Sequence, residues 1–145
     1  MESCDCRAIL SATAVPVETL INRFPSSGMI TVSARICDVN CSVKNSYISI
    51  LYGDHQDQNN SFVFKSMLSS LPTCEPVSGG GIGMILTSKG EASGVNFNDN
   101  AILSNIHFLH ETIIGNAICS IRLTANGRTF EVPGCIFCIS ENNQN

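Results

Sequence analysis

Residues 29–39, MITVSARICDV, alternate. Ile30, Val32, Ala34 and Ile36 fall on one side, and Thr31, Ser33 and Arg35 on the other. A period of two over this length predicts a half-buried strand. Residues 46–53, SYISILYG, repeat the pattern, with Tyr47, Ser49 and Leu51 on one face and Ile48, Ile50 and Tyr52 on the other. The polar NCSVKN between the two runs is long enough for a hairpin loop.

Three stretches carry helical spacing instead. In PVETLINRF (16–24), Val17, Leu20, Ile21 and Phe24 sit at i, i+3, i+4 and i+7. Pro16 suits a first helical position, Glu18 suits a first turn and Pro25 ends the run. In SFVFKSMLSSL (61–71), Phe64, Met67, Leu68 and Leu71 form a stripe between a capping Ser61 and a stopping Pro72, although FVF itself favours strand. In NDNAILSNIHFLHETIIG (98–115), Ile102, Ile106, Leu109 and Ile113 share a face, Asp99 suits the N-cap and Gly115 the stop. The segment NIHFL keeps a strand reading open there.

IGMILTS (82–88) predicts a strand that returns through KGEAS into a short GVNF (94–97). The clearest local signal comes last. In AICSIRLTA-NG-RTFEVPGCIFCIS, Asn126-Gly127 suits the two positive φ angles of a type I′ turn. Pairing across it sets Leu123 opposite Phe130 and Ile121 opposite Val132, so turn and pattern agree on register. Residues 1–8 read as a loose arm and 141–145 as a frayed tail, flanking a single domain.

Hairpin-linked strands interrupted by helices predict an α+β domain, with an antiparallel sheet of about five to six strands and two to three helices packed on it. If 61–71 and 98–115 are strands, the alternative is an all-β barrel or sandwich.

Composition narrows the function. Of 145 residues, 43% are hydrophobic and 14% charged, against a usual charged share of about 25%. A neutral surface of that kind suits a covered face, hence a protein partner or homo-oligomer. The net charge is −4, and the eight basic residues, from Arg7 to Arg128, form no run. Clustered cations supply much of nucleic-acid affinity, so this class is disfavoured. No stretch reaches the roughly 18 apolar residues of a membrane helix. MESCDCRAIL opens acidic and lacks the long apolar core of a signal peptide, which predicts an intracellular, cytoplasmic setting, or a host cytoplasm if the chain is viral. The sequons at Asn40 and Asn59 matter only in a secretory setting.

Eight cysteines in a reducing compartment suggest buried thiols or metal ligands. Cys135 and Cys138 are separated by Ile136-Phe137, which favour an extended strand over the tight turn of a zinc knuckle. A redox pair would need its first Cys at a helix start. Cys119 shares parity with Ile121 and Leu123 and reads as core. Cys4, Cys6, Cys37 and Cys41 make the candidate metal set, with zinc as the conceivable cofactor, although their spacing fits no common zinc pattern.

His107 and His110 would share a helix side, with Glu111 near His107, but HFLHE lacks the order of a zinc peptidase motif. His55, between Asp54 and Asp57, reads as part of a solvated polar loop. SGGGIG (78–83) lacks the Lys-Ser/Thr of a phosphate loop and precedes a strand. No catalytic residues are assigned, because no flanking motif selects a cysteine–histidine pair and no carboxylate pair stands out.

The leading expectation is therefore a non-enzymatic, self-associating protein-interaction module, a profile that also suits a viral accessory or structural protein. One rival is a zinc-stabilised regulatory domain. Another is a small barrel that stacks single-stranded nucleic acid on Tyr47, Phe62 and Phe64.

Overall fold

A computed structural model describes residues 8–36, 46–67, 73–76, 82–111, 115–134 and 136–138, with side chains for 11–36, 46–66, 73, 87–103 and 120–134. Ten strands follow in order: β1 (Ala8–Ile21), β2 (Phe24–Ile36), β3 (Tyr47–Asp54), β4 (Phe62–Met67), β5 (Thr73–Pro76), β6 (Ile82–Gly94), β7 (Asp99–Glu111), β8 (Gly115–Ala125), β9 (Arg128–Val132) and β10 (Ile136–Cys138). The sole helical element among the described residues is one 3-10 turn, Gln58–Asn60. The α+β expectation is thus corrected to its all-β alternative.

β1, β2, β3, β4, β6, β7, β8 and β9 each pair antiparallel with the next, and β9 pairs back with β1. The result is a closed, up-and-down barrel of eight strands. β5 and β10 lie off the ring, paired to β6 and β8. Closure pairs each ring strand on both sides over part of its length, while Ala8–Thr19 of β1, together with β5 and β10, pair on one side only among the described strands.

Each of the three helix expectations fails for a physical reason. In 16–24 a second pattern competes with the helical stripe. Val15, Val17, Thr19 and Ile21 alternate, and all are β-branched, which favours an extended chain. Thr19 and Ile21 are buried, whereas Phe24, part of the helical stripe, is 74% exposed. Pro16 is tolerated because β1 pairs there with β2 alone among the described strands. In 61–71, residues 62–67 form β4, with Phe62, Phe64 and Ser66 inward opposite Tyr52, Ile50 and Ile48 of β3 and Val63 and Lys65 outward; 68–71 lie outside the described residues. In 98–115, β7 occupies Asp99–Glu111, and Ala101 and Leu103 are buried while Ile102 of the stripe is exposed; 112–114 lie outside the described residues.

The two regions expected as return and short strand also exchange roles. KGEAS continues β6, and GVNF forms the turn into β7. Phe97 in that turn is fully buried.

The strand expected over 29–39 is present as β2 up to Ile36, with 37–39 outside the described residues, and that over 46–53 is present as β3. The last hairpin is present with the expected register, Leu123↔Phe130 and Ile121↔Val132, and Asn126 and Gly127 have φ of 53° and 73°. A matching two-residue turn joins β1 to β2, with Asn22 and Arg23 at φ 50° and 72° between paired Ile21 and Phe24.

The barrel seam is narrow. β1 meets β9 only at Leu20↔Glu131 and Ile21↔Phe130. Asn22 reinforces it: its backbone N–H donates to Thr129 O, and its side-chain Oδ1 accepts from Thr129 N, both at 2.9 Å. One turn residue therefore locks the last strand to the first.

The interior at this end is filled by four rings. Tyr52 and Phe130 stand 4.6 Å apart, Phe62 and Phe130 5.0 Å in an edge-on pair, and Phe62 and Phe97 5.3 Å. Tilted and edge-on geometries avoid the face-to-face repulsion of the ring quadrupoles. Ile30, Ile50, Phe64, Leu103 and Leu123, each almost wholly enclosed, continue the core. An eight-stranded barrel is just wide enough for side chains to fill it, and in this portion they do.

Candidate functional site

The turns β1–β2, β3–β4, β6–β7 and β8–β9 all lie at one end of the barrel, because an up-and-down meander returns each odd connection to the same side. Strand alternation carries the inward parity of β3 from Ile48 and Ile50 through Tyr52 to Asp54. Asp54 is only 6% exposed. A buried carboxylate is costly unless donors surround it.

Here four donors do. Oδ2 accepts from Tyr52 Oη at 2.7 Å and Ser26 Oγ at 2.8 Å. Oδ1 accepts from the backbone N–H groups of Gln56 and Asp57, both at 2.9 Å. The Asp54 N–H donates to Ser61 Oγ at 2.9 Å, and Thr19 Oγ1 lies 3.1 Å from Tyr52 Oη. One residue thereby ties β2, β3 and the β3–β4 loop together, with β1 linked through Tyr52.

The electrostatics follow from this shell. Burial pushes the Asp54 carboxyl up, but the Tyr52 hydroxyl, the Asp57 N–H, the Ser26 hydroxyl and the Gln56 N–H outweigh it and hold it below the usual range. Burial, reinforced by the neighbouring Asp54 carboxylate, pushes the Tyr52 phenol well above its ordinary value, against the Thr19 and Ser26 hydroxyls. A saturated carboxylate and a neutral phenol make a lock between strands. Neither is poised for proton transfer near neutral pH.

Beyond this lock the same end opens into a shallow depression of about 340 Å³, with Ile21 and Ser26 among its lining. The β3–β4 loop and β6–β7 turn are joined across it by Asn96 N to Asn59 O at 3.0 Å and Asn96 Nδ2 to Asn60 Oδ1 at 2.7 Å.

The outer face has its own character. Leu51 is 51% exposed and lies between Thr31 of β2 and Val63 of β4, with Met29 diagonal to it at 36% exposure. The outward residues of β3, namely Tyr47, Ser49, Leu51 and Gly53, carry no charge.

The residues singled out by sequence fall in different places. Cys4, Cys6, Cys37, Cys41 and Cys135 lie outside the described residues. Cys74, Cys119 and Cys138 lie in β5, β8 and β10, the last in keeping with the strand expected for CIFC, but their side chains are outside the description. Among the described residues no three His, Cys, Asp or Glu side chains gather at a possible metal site.

His107, His110 and Glu111 belong to β7, which removes the helical premise for pairing the histidines. His55 is exposed, and its backbone N–H donates to Ser27 O at 2.8 Å. Asp57 caps the 3-10 turn by accepting from Asn59 N at 2.9 Å. Of SGGGIG, only Ile82 and Gly83 are described, and they open β6. Phe62 and Phe64 are buried, leaving Tyr47 as the partly exposed member of the aromatic set.

The Tyr52–Asp54 pair was missed. Its signal was an aspartate continuing the buried parity of an otherwise apolar strand. Compared with family profiles, curated proteins and solved structures, the chain matches none.

Proposed function

We propose that this barrel is a non-enzymatic protein-interaction module that associates with further copies of itself through the outer face of β2, β3 and β4. The observation that carries the reading is Leu51, half-exposed at the centre of an uncharged strand face and flanked by Met29 and Val63. Interface cores are depleted in charge and built around apolar anchors.

Sedimentation velocity tests this over about 5 to 200 µM, a range that reveals micromolar association. The average mass should rise with concentration for the native chain and stay at the monomer for Leu51→Lys, with both proteins melting alike. A native chain that is monomeric throughout, or an assembly indifferent to Leu51→Lys, contradicts the proposal. The zinc-stabilised rival rests on Cys4, Cys6, Cys37 and Cys41, which lie outside the described residues. The nucleic-acid rival loses Phe62 and Phe64 to the core.

A further inference from the structure

The depression at the loop end does not belong to the outer face and does not rest on the association reading. Its lining comes from the β1–β2 hairpin, the β3–β4 loop, the β6–β7 turn and the start of β9. Clefts at barrel mouths are common ligand sites, and about 300 Å³ is the lower end of their usual volume. The walls are held before any ligand arrives. Asp54 fixes the loop through Gln56 and Asp57, and Asn60 is bonded to Asn96. Pre-organised walls lower the ordering cost of binding.

The lining chemistry is selective. Gln56, Asn60 and Asn96 are carboxamides, each with a donor and an acceptor arm. Their mutual bond uses Asn96 Nδ2 and Asn60 Oδ1, which leaves Asn60 Nδ2, Asn96 Oδ1 and the whole Gln56 amide available to a ligand. The charged members are one Arg128 and one Asp57, which balance. A balanced, amide-rich site favours a neutral ligand dense in hydroxyl groups, because each hydroxyl both donates and accepts. Phe24 adds an apolar platform. It is 74% exposed, and its position after a tight turn is fixed by pairing with Ile21. The negative face of an aromatic ring attracts the weakly positive C–H face of a sugar.

We infer that this end of the barrel is a saccharide-binding site, with Phe24 as stacking platform and Gln56, Asn60 and Asn96 as hydroxyl partners. The test is titration of the full chain with glucose, galactose, N-acetylglucosamine, maltose and lactose, followed by amide NMR to about 50 mM, enough to detect millimolar affinity. Acetate and inorganic phosphate serve as anionic controls. At least one sugar should give saturable shifts confined to the loop end. Phe24→Ala and Gln56→Ala, both at exposed positions and expected to melt like the native chain, should each weaken that binding, Phe24→Ala by about tenfold. No shift with any sugar overturns the inference. So do shifts unchanged in both variants, or a site that titrates with the anions and not with the sugars.

Discussion

Tyr52 lies across Gly28. A Cβ built on Gly28 would stand 2.7 Å from both Cε1 and Oη of Tyr52, and it would also collide with the Gly53 carbonyl oxygen. The glycine is thus a gap in β2 that the phenol of β3 occupies on its way to Asp54. Gly28→Ala should destabilise the fold by about 1–3 kcal/mol, the usual cost of overpacking. Urea unfolding measures it, and a neutral result would mean that the ring does not sit there.

Asp54 predicts a direction with pH. Its carboxyl is held below its ordinary value in the folded state. The unfolded chain therefore takes up the proton first as pH falls. The stabilisation is complete above the unfolded value of 3.8 and is lost as pH drops through the lower folded value. Asp54→Asn should cost about 1.5–3 kcal/mol at pH 7, the scale of hydrogen bonds to a charged group. Chemical unfolding at neutral and strongly acidic pH should show the gap between variant and native chain shrinking in acid.

Tyr52→Phe removes the donor to Asp54 and the contact with Thr19, at an expected cost of about 1–2 kcal/mol. Combined with Asp54→Asn it should be clearly less than additive, because the two groups share one bond. Additive losses in a double-mutant unfolding cycle would mean that the two residues act separately.

The two matched turns show what was legible in the chain and what was not. Asn126-Gly127 announces a hairpin because glycine has no penalty at positive φ, and its register was predictable from the flanking apolar residues. Asn22-Arg23 adopts the same positive φ angles without the glycine, so its signal was hidden beneath a helical stripe. The stripe in 16–24 and the one in 98–115 were real spacings, but the barrel rewards period two and burial of β-branched residues. Asp54 was readable as the charged end of an apolar parity. Its donors were not, since Ser26 is 28 positions away in sequence. The depression draws on four chain segments that meet only once the ring closes.

Of the five non-glycine residues at positive φ among those described, Ala14 and Arg23 lack the asparagine or aspartate side chain that tolerates this region. Ala14, at φ 51°, belongs to a bulge in β1 where the register shifts between Ala12 and Val15, and its N–H donates to Thr31 Oγ1 at 3.0 Å. Arg23 is at φ 72°. A left-handed conformation costs a side chain about 1–2 kcal/mol, and glycine loses about 0.5–1 kcal/mol of that gain to chain entropy. Ala14→Gly and Arg23→Gly should each raise stability by up to about 1 kcal/mol, read as an upward shift in the thermal midpoint.

Closure is the premise for both functional readings, because it sets β2, β3 and β4 side by side as one outer face and brings the four loop-end segments together as one mouth. The most direct test is an NMR search for cross-strand contacts of β9. The closed barrel predicts close backbone proton contacts from Phe130 to Leu123 on one side and to Ile21 on the other, with Glu131 meeting Leu20. Contacts to Leu123 alone, with Ile21 and Leu20 showing none to β9, would mean an open sheet and would contradict the account.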